Sequence, residues 1–134
     1  VLCLIYIDLD DFKQINDNHG HAVGDQALCK VAHHLKAIVR SNDAIGRLGG
    51  DEFVVLAHFY TKAQVSPKVH FLKTELAKLT IDHNTKQLAI KASVGSAVFS
   101  DPPRNIDELL KAGDAAMYHE KLKRKATPLT LVDL

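Results

Sequence analysis

An α+β fold, sandwich-like, with helices packed on a mainly antiparallel central sheet, is what this chain of 134 residues predicts. Three observations lead there. Val1 to Ile7 is short and apolar at every position, as a strand covered on both faces must be. Gly49-Gly50 separates two apolar segments, the pattern of a β-hairpin. Between them, Asp25 to Arg40 carries Ala27, Leu28, Val31, Ala32, Leu35, Ile38 and Val39 at helical spacing.

The opening strand ends at Asp8, Asp10 and Asp11, and Phe12 to Asp17 can form a short helix before Gly20 and Gly24 punctuate the link to the long one. Ala44 to Leu48 and Glu52 to Phe59 are the two strands of the hairpin, its glycines expected to supply the positive φ angles of a tight turn. Asp51 and Glu52 then lie at the hairpin tip. Lys62 to Leu79 is helical in part, with Val69, Leu72, Leu76 and Leu79 on one face and Pro67 near the helix start, where proline is tolerated. A further strand is expected over Leu88 to Phe99. After the break at Asp101-Pro102-Pro103 comes a last helix, Ile106 to Lys125, with Leu109, Leu110, Ala116, Met117 and Leu122 as its core contacts, and a closing strand is drawn at Leu129 to Val132. The order is β-α-α-β-β-α-β-α, containing a β-α-β-β-α-β kernel.

Lys+Arg number 17 against Asp+Glu 16, and 46% of residues are hydrophobic, so the chain reads as one ordinary globular domain, residues 1–134. A chain of this size buries about two thirds of its unfolded surface and needs no staple. A net charge of +1 offers no general attraction to nucleic acid or membrane, and no nucleic-acid partner is expected. Cys3 and Cys29 sit in apolar patterns as core fillers, which fits a reducing, cytoplasmic setting. The apolar run Val1 to Ile7 is far short of the ~20 residues of a membrane span. Because the chain opens at Val1, already inside a strand, it is expected to be cut from a longer protein, one that parts outside this chain could anchor to a membrane.

If the first strand is central and the hairpin is its neighbour, Asp8, Asp51 and Glu52 converge. Carboxylates gathered from two strands without a basic partner call for a cation. Oxygen ligands favour Mg²⁺, which commonly arrives with nucleotide phosphates, and the implied chemistry is phosphoryl or nucleotidyl transfer. A calcium loop is a poor fit, since Lys13 stands where the sharp-turn glycine belongs and His19 where the twelfth-position glutamate belongs. The eight histidines are scattered, and no Cys or carboxylate completes a familiar transition-metal spacing around them.

Arg47-Leu48-Gly49-Gly50-Asp51-Glu52-Phe53 resembles the signature of GGDEF domains, the diguanylate cyclases that condense two GTP molecules into cyclic di-GMP in bacterial signalling. Asp8-Leu9-Asp10-Asp11-Phe12-Lys13-Gln14-Ile15-Asn16-Asp17 resembles that family's first-strand motif, and Gly20-His21-Ala22-Val23-Gly24-Asp25 its following loop. Ala92-Ser93-Val94-Gly95 resembles a later strand, and Asp114-Ala115-Ala116-Met117-Tyr118 with Lys121 the last helix. Five segments in the family's order and spacing are far more specific than the pentapeptide alone. The resemblance implies a palm-like, ferredoxin-like kernel such as nucleotidyl cyclases have.

It also implies roles. Asp8, the carbonyl of Leu9, and Asp51 would hold Mg²⁺, with Mn²⁺ as the substitute, against the GTP triphosphate. Glu52, the second signature acid, would assist metal binding or activation of the attacking 3′-hydroxyl, and either Asp51 or Glu52 would take the proton. Asn16 and Asp25 would read guanine, because an amide and a carboxylate match an edge that adenine lacks. Phe12 and Lys13 would lie along the phosphates, joined by Lys121 and Lys125, while Gly49 and Gly50 admit the substrate where a Cβ would crowd it. Arg40-Ser41-Asn42-Asp43 fits the RxxD pattern of the family's inhibitory site for its product, cyclic di-GMP. These residues bind one GTP, so a homodimer is required for catalysis, and an upstream sensory domain is expected in the full-length protein.

Two departures stand out. Lys125 replaces a phosphate-contacting arginine, which keeps the charge but loses the planar fork, and Glu120 stands where a small residue is commoner. They support an alternative, a catalytically silent domain that senses GTP or cyclic di-GMP, with a phosphodiesterase domain as a candidate neighbour. A different palm-like nucleotidyl cyclase would still select guanine through Asn16 and Asp25.

Overall fold

Seven of the eight residues of β1 (Leu2–Leu9) are buried, because the strand is paired along both edges and covered on both faces. The computed structural model describes residues 1–99, 101, 105, 107–116, 118 and 119. After β1 come α1 (Phe12–His19), α2 (His21–Ile38), β2 (Ala44–Arg47) and β3 (Glu52–His58). A 3₁₀ turn (Lys62–Gln64), α3 (Val65–Leu76), β4 (Thr80–His83), β5 (Lys86–Ala89) and β6 (Ala92–Phe99) follow, and residues 107–116 form a last helix, α4. The main sheet has the order β2-β3-β1-β6 with every pairing antiparallel, while β4 and β5 form a separate hairpin. No described helix is long and apolar enough to cross a membrane.

Strand alternation divides the core in two. Cys3, Ile5, Ile7 and Leu9 point to one face, with Phe53 and Val55, and meet Val31 and Leu35 of α2 and Leu72 and Leu76 of α3. Leu35 and Leu72 are fully buried, each contributing roughly 1.5–3 kcal/mol. Leu4 and Tyr6 point to the other face, where they meet Val54 and Leu109 of α4. The expected layer of helices on one face is present, and α4 closes the opposite face.

Three boundaries differ from expectation. α2 begins at His21 rather than Asp25, so Gly24 and Asp25 lie within its first turns. The strand expected over Leu88 to Phe99 is two strands, and β4 adds a third. Asn84 and Thr85 turn the β4–β5 hairpin at φ 49° and 67°, and these positive angles come without the glycine that marks such a turn in sequence. The closing strand at Leu129 to Val132, and the last helix beyond residue 119, fall outside the described residues.

Candidate active site

β1 and β3 are registered so that Asp8 stands opposite Glu52. The loop before β3 carries Asp51, whose carbonyl accepts a hydrogen bond from Leu9 N–H at 3.1 Å, tying the hairpin tip to the end of β1. Asp8, Leu9, Asp51 and Glu52 therefore share one corner of the sheet. Asp8 is buried. The Asp51 carboxyl titrates above the ordinary aspartate range, first because it is withdrawn from water and then because the Asp8 carboxylate faces it and hydrogen-bonds to it. Two converging carboxylates that resist joint ionisation are a setting that a divalent cation relieves.

The donors fit a hard cation. They are oxygens only, and among the described residues no group of three or more His, Cys, Asp or Glu is placed to hold a metal ion by itself. Two carboxylates and a backbone carbonyl leave positions to be completed by phosphate and water, the habit of Mg²⁺ rather than of a metal caged wholly by protein.

Three further side chains brace this corner, and sequence reasoning assigned them no role. Tyr6 donates its hydroxyl proton to Glu52 Oε2 at 2.7 Å. Its hydroxyl titrates well above the usual phenol range, because of burial first and then the carboxylates of Glu52 and Asp114. Ser93 Oγ donates to Asp10 Oδ1 at 2.7 Å from the neighbouring β6. Arg47 donates from Nε to the Gly49 carbonyl at 3.1 Å and from Nη2 to that of Gly50 at 2.8 Å, gripping the loop from inside the signature. The available signal was polarity in an apolar context: a tyrosine inside β1, and a serine fully buried in β6 that must find a partner.

The glycine pair departs from expectation, since neither Gly49 nor Gly50 has a positive φ. Leu48 N–H still bonds to the Glu52 carbonyl at 2.9 Å, so the chain reverses over a longer loop than a two-residue turn and does not need the left-handed conformation. A Cβ on Gly50 would meet open space, and one on Gly49 would come 3.3 Å from Glu52 Oε2.

The guanine-reading candidates sit on α1 and α2, two helices joined at Gly20. A Cβ on Gly24 would collide with Asn16 Oδ1, so glycine here lets α2 rest against the Asn16 amide. Asp25, the next residue, is exposed beside it. The Phe12 ring packs on the core, leaving its backbone at the start of α1 as the phosphate candidate, and Lys13 is exposed.

Arg40 and Asp43 meet each other. Asp43 accepts from Arg40 N at 3.0 Å and from its Nη2 at 3.2 Å, while the same Nη2 donates to the His58 carbonyl at 3.0 Å. The guanidinium stacks 4.8 Å from the Phe59 ring centroid, and Lys68 lies 3.6 Å from Asp43. Cys3 is buried and its thiol is pushed up to about 11 by that burial, whereas Cys29, expected in the core, is exposed on α2. A groove of about 520 Å³ between α2 and β4, lined by Cys29, His33 and Asp82 among others, contains none of the predicted site residues. Lys121, Lys125, Glu120 and Met117 lie outside the described residues.

Residues 1–127 match the family described as "Diguanylate cyclase, GGDEF domain", and the chain belongs to that family. It is 37% identical over 118 residues to the bifunctional diguanylate cyclase/cyclic di-GMP phosphodiesterase MucR of Pseudomonas aeruginosa, covering 88% of this chain and only 17% of MucR. A sensory box/GGDEF family protein from Caulobacter crescentus superposes with a TM-score of 0.81 at 35% identity, over 91% of this chain and 79% of that one. The GGDEF domain of DgcB from the same organism, in complex with c-di-GMP, gives a TM-score of 0.81 at 26% identity, over 91% and 70% of the two chains.

Proposed function

We propose that this chain is one half of a diguanylate cyclase active site, condensing two GTP into cyclic di-GMP and two pyrophosphates when two copies face each other. The observation that carries this reading is the convergence of Asp8, Asp51 and Glu52 at the adjoining ends of β1 and β3. Asn16 and Asp25 hold guanine, and GTP is preferred over ATP because a guanine-matched amide and carboxylate are left unpaired by adenine. The backbone at Phe12 and the ammonium of Lys13 receive phosphate oxygens, with Lys121 and Lys125 adding charge. Asp8, the Leu9 carbonyl and Asp51 would hold Mg²⁺, which when bound neutralises charge on the triphosphate. The 3′-oxygen of each GTP bonds to the α-phosphorus of the other, the α–β anhydride bond breaks, and pyrophosphate leaves. The hydroxyl proton passes to a signature acid, Asp51 or Glu52.

The test is to incubate the full-length or artificially dimerised protein with GTP and Mg²⁺ and separate the nucleotides. Cyclic di-GMP is expected. Retained GTP binding with no cyclic di-GMP would replace this reading with that of a GTP-sensing module, the reading Lys125 favours by lacking the arginine fork.

A further inference from the structure

Tyr6 precedes Asp8 by two residues, so both side chains leave β1 on the face that α4 covers. Tyr6 pairs with Val54 and Asp8 with Glu52, which makes Tyr6 and Glu52 diagonal neighbours across the two strands. Long side chains span such a diagonal, and here the phenol hydroxyl reaches Glu52 Oε2 at 2.7 Å. That length is typical of a hydrogen bond to a charged acceptor.

The ring that carries this hydroxyl is held on every side. Tyr6 is only 3% exposed and packs with Leu4, Val54 and Leu109. Gly113 brings α4 directly onto it, since a Cβ there would stand 2.8 Å from Tyr6 Cδ2 and 2.8 Å from Leu4 Cδ2. Asp114, the next residue of α4, faces the same hydroxyl. A packed ring has few ways to move, whereas glutamate has three side-chain torsions and, at position 52, the Asp8 and Asp51 carboxyl groups beside it.

We propose that Tyr6 is a positioning residue for the signature acid Glu52, fixing its carboxylate beside the Asp8–Asp51 pair through the phenolic proton and anchoring that acid to α4. The assignment rests on the cyclase reading for its effect on rate, although the contact itself does not. Without the hydroxyl, Glu52 would sample orientations that carry its carboxylate away from the nucleotide, and misplacement of a reacting group is costly to turnover.

The experiment is Tyr6→Phe in the full-length or artificially dimerised protein, which keeps the ring and removes only the hydroxyl. The kcat for cyclic di-GMP is expected to fall about tenfold, with KM for GTP and calorimetric GTP affinity in Mg²⁺ essentially unchanged and the melting temperature within a few degrees of wild type. An unchanged kcat would overturn the proposal, as would a loss that appears only in KM and melting temperature together, which would make Tyr6 a packing residue. If the wild-type protein makes no cyclic di-GMP, the cyclase reading fails, and a double-mutant stability cycle of Tyr6→Phe with Glu52→Ala then decides the contact. Non-additive effects support the anchoring, and additive effects refute it.

Discussion

Asp51 binds its proton more tightly in the folded protein than an ordinary aspartate with its value of 3.8. Folding is therefore favoured by the protonated form: its contribution is complete below that ordinary value and is lost as pH rises through the raised one. In the metal-free protein, ionising Asp51 beside Asp8 therefore opposes the fold. Asp51→Asn removes one charge at constant shape, so it should raise the metal-free melting temperature by a few degrees at pH 7, with the gain fading toward pH 4, while cyclic di-GMP synthesis is lost. Calorimetry across that range checks both parts. Arg40 presents the reverse balance, being tied to Asp43, His58 and Phe59 at the surface. If the RxxD pair holds cyclic di-GMP as its resemblance implies, Arg40→Ala should relieve product inhibition and keep synthesis, at a stability cost of about 1–3 kcal/mol, because the Asp43 carboxylate is fully buried and keeps, among the described residues, only Lys68 as a cationic partner. Titrating the reaction with added cyclic di-GMP reads the outcome.

Among the elements, the junction of α1 and α2 is the most exacting. Gly24→Ala would drive a methyl into Asn16 Oδ1, the far end of a side chain that can turn away; it should cost the fold only about 1 kcal/mol yet displace the amide and so raise KM for GTP more than it lowers kcat, measurable by steady-state kinetics beside a thermal melt. This junction also marks how far the residues could be read. The apolar spacing of Ala27 to Val39 reveals α2, but its first turn is His-Ala-Val-Gly, which carries no capping side chain, so the pattern points to a start four residues too late. β4 is Thr-Ile-Asp-His, four residues with only Ile81 buried, followed by a turn of Asn84 and Thr85, so neither periodicity nor glycine announces it. The acids of the site were legible because Asp8 interrupts an apolar strand and Asp51 and Glu52 follow two glycines. Tyr6 was not, since its role depends on a diagonal between strands about fifty residues apart, and a register is a property of the folded sheet. Arg47 belongs to the signature, yet its grip on two carbonyls depends on a loop path that the glycines alone do not specify.

For the molecule as a whole, the proposed reaction joins two nucleotides while the residues proposed to bind GTP serve one. Turnover per chain should therefore rise with protein concentration and level off once dimers dominate, and a fused dimerisation helix should abolish the dilution effect; a rate per chain independent of dilution in the unfused protein would point to a preformed assembly or to a single-chain mechanism. The pairing of β1 with β6 has a consequence of another kind. Leu2 stands beside Phe99 and Leu9 beside Ala92, so β1 is closed on one edge only by a strand made more than eighty residues after it. On the ribosome, this apolar strand must wait, with an open edge, until β6 has emerged. Folding of this domain is thus expected to be slow, limited by a distant partner, and a transcript truncated before β6 would release a sticky fragment rather than a smaller working domain.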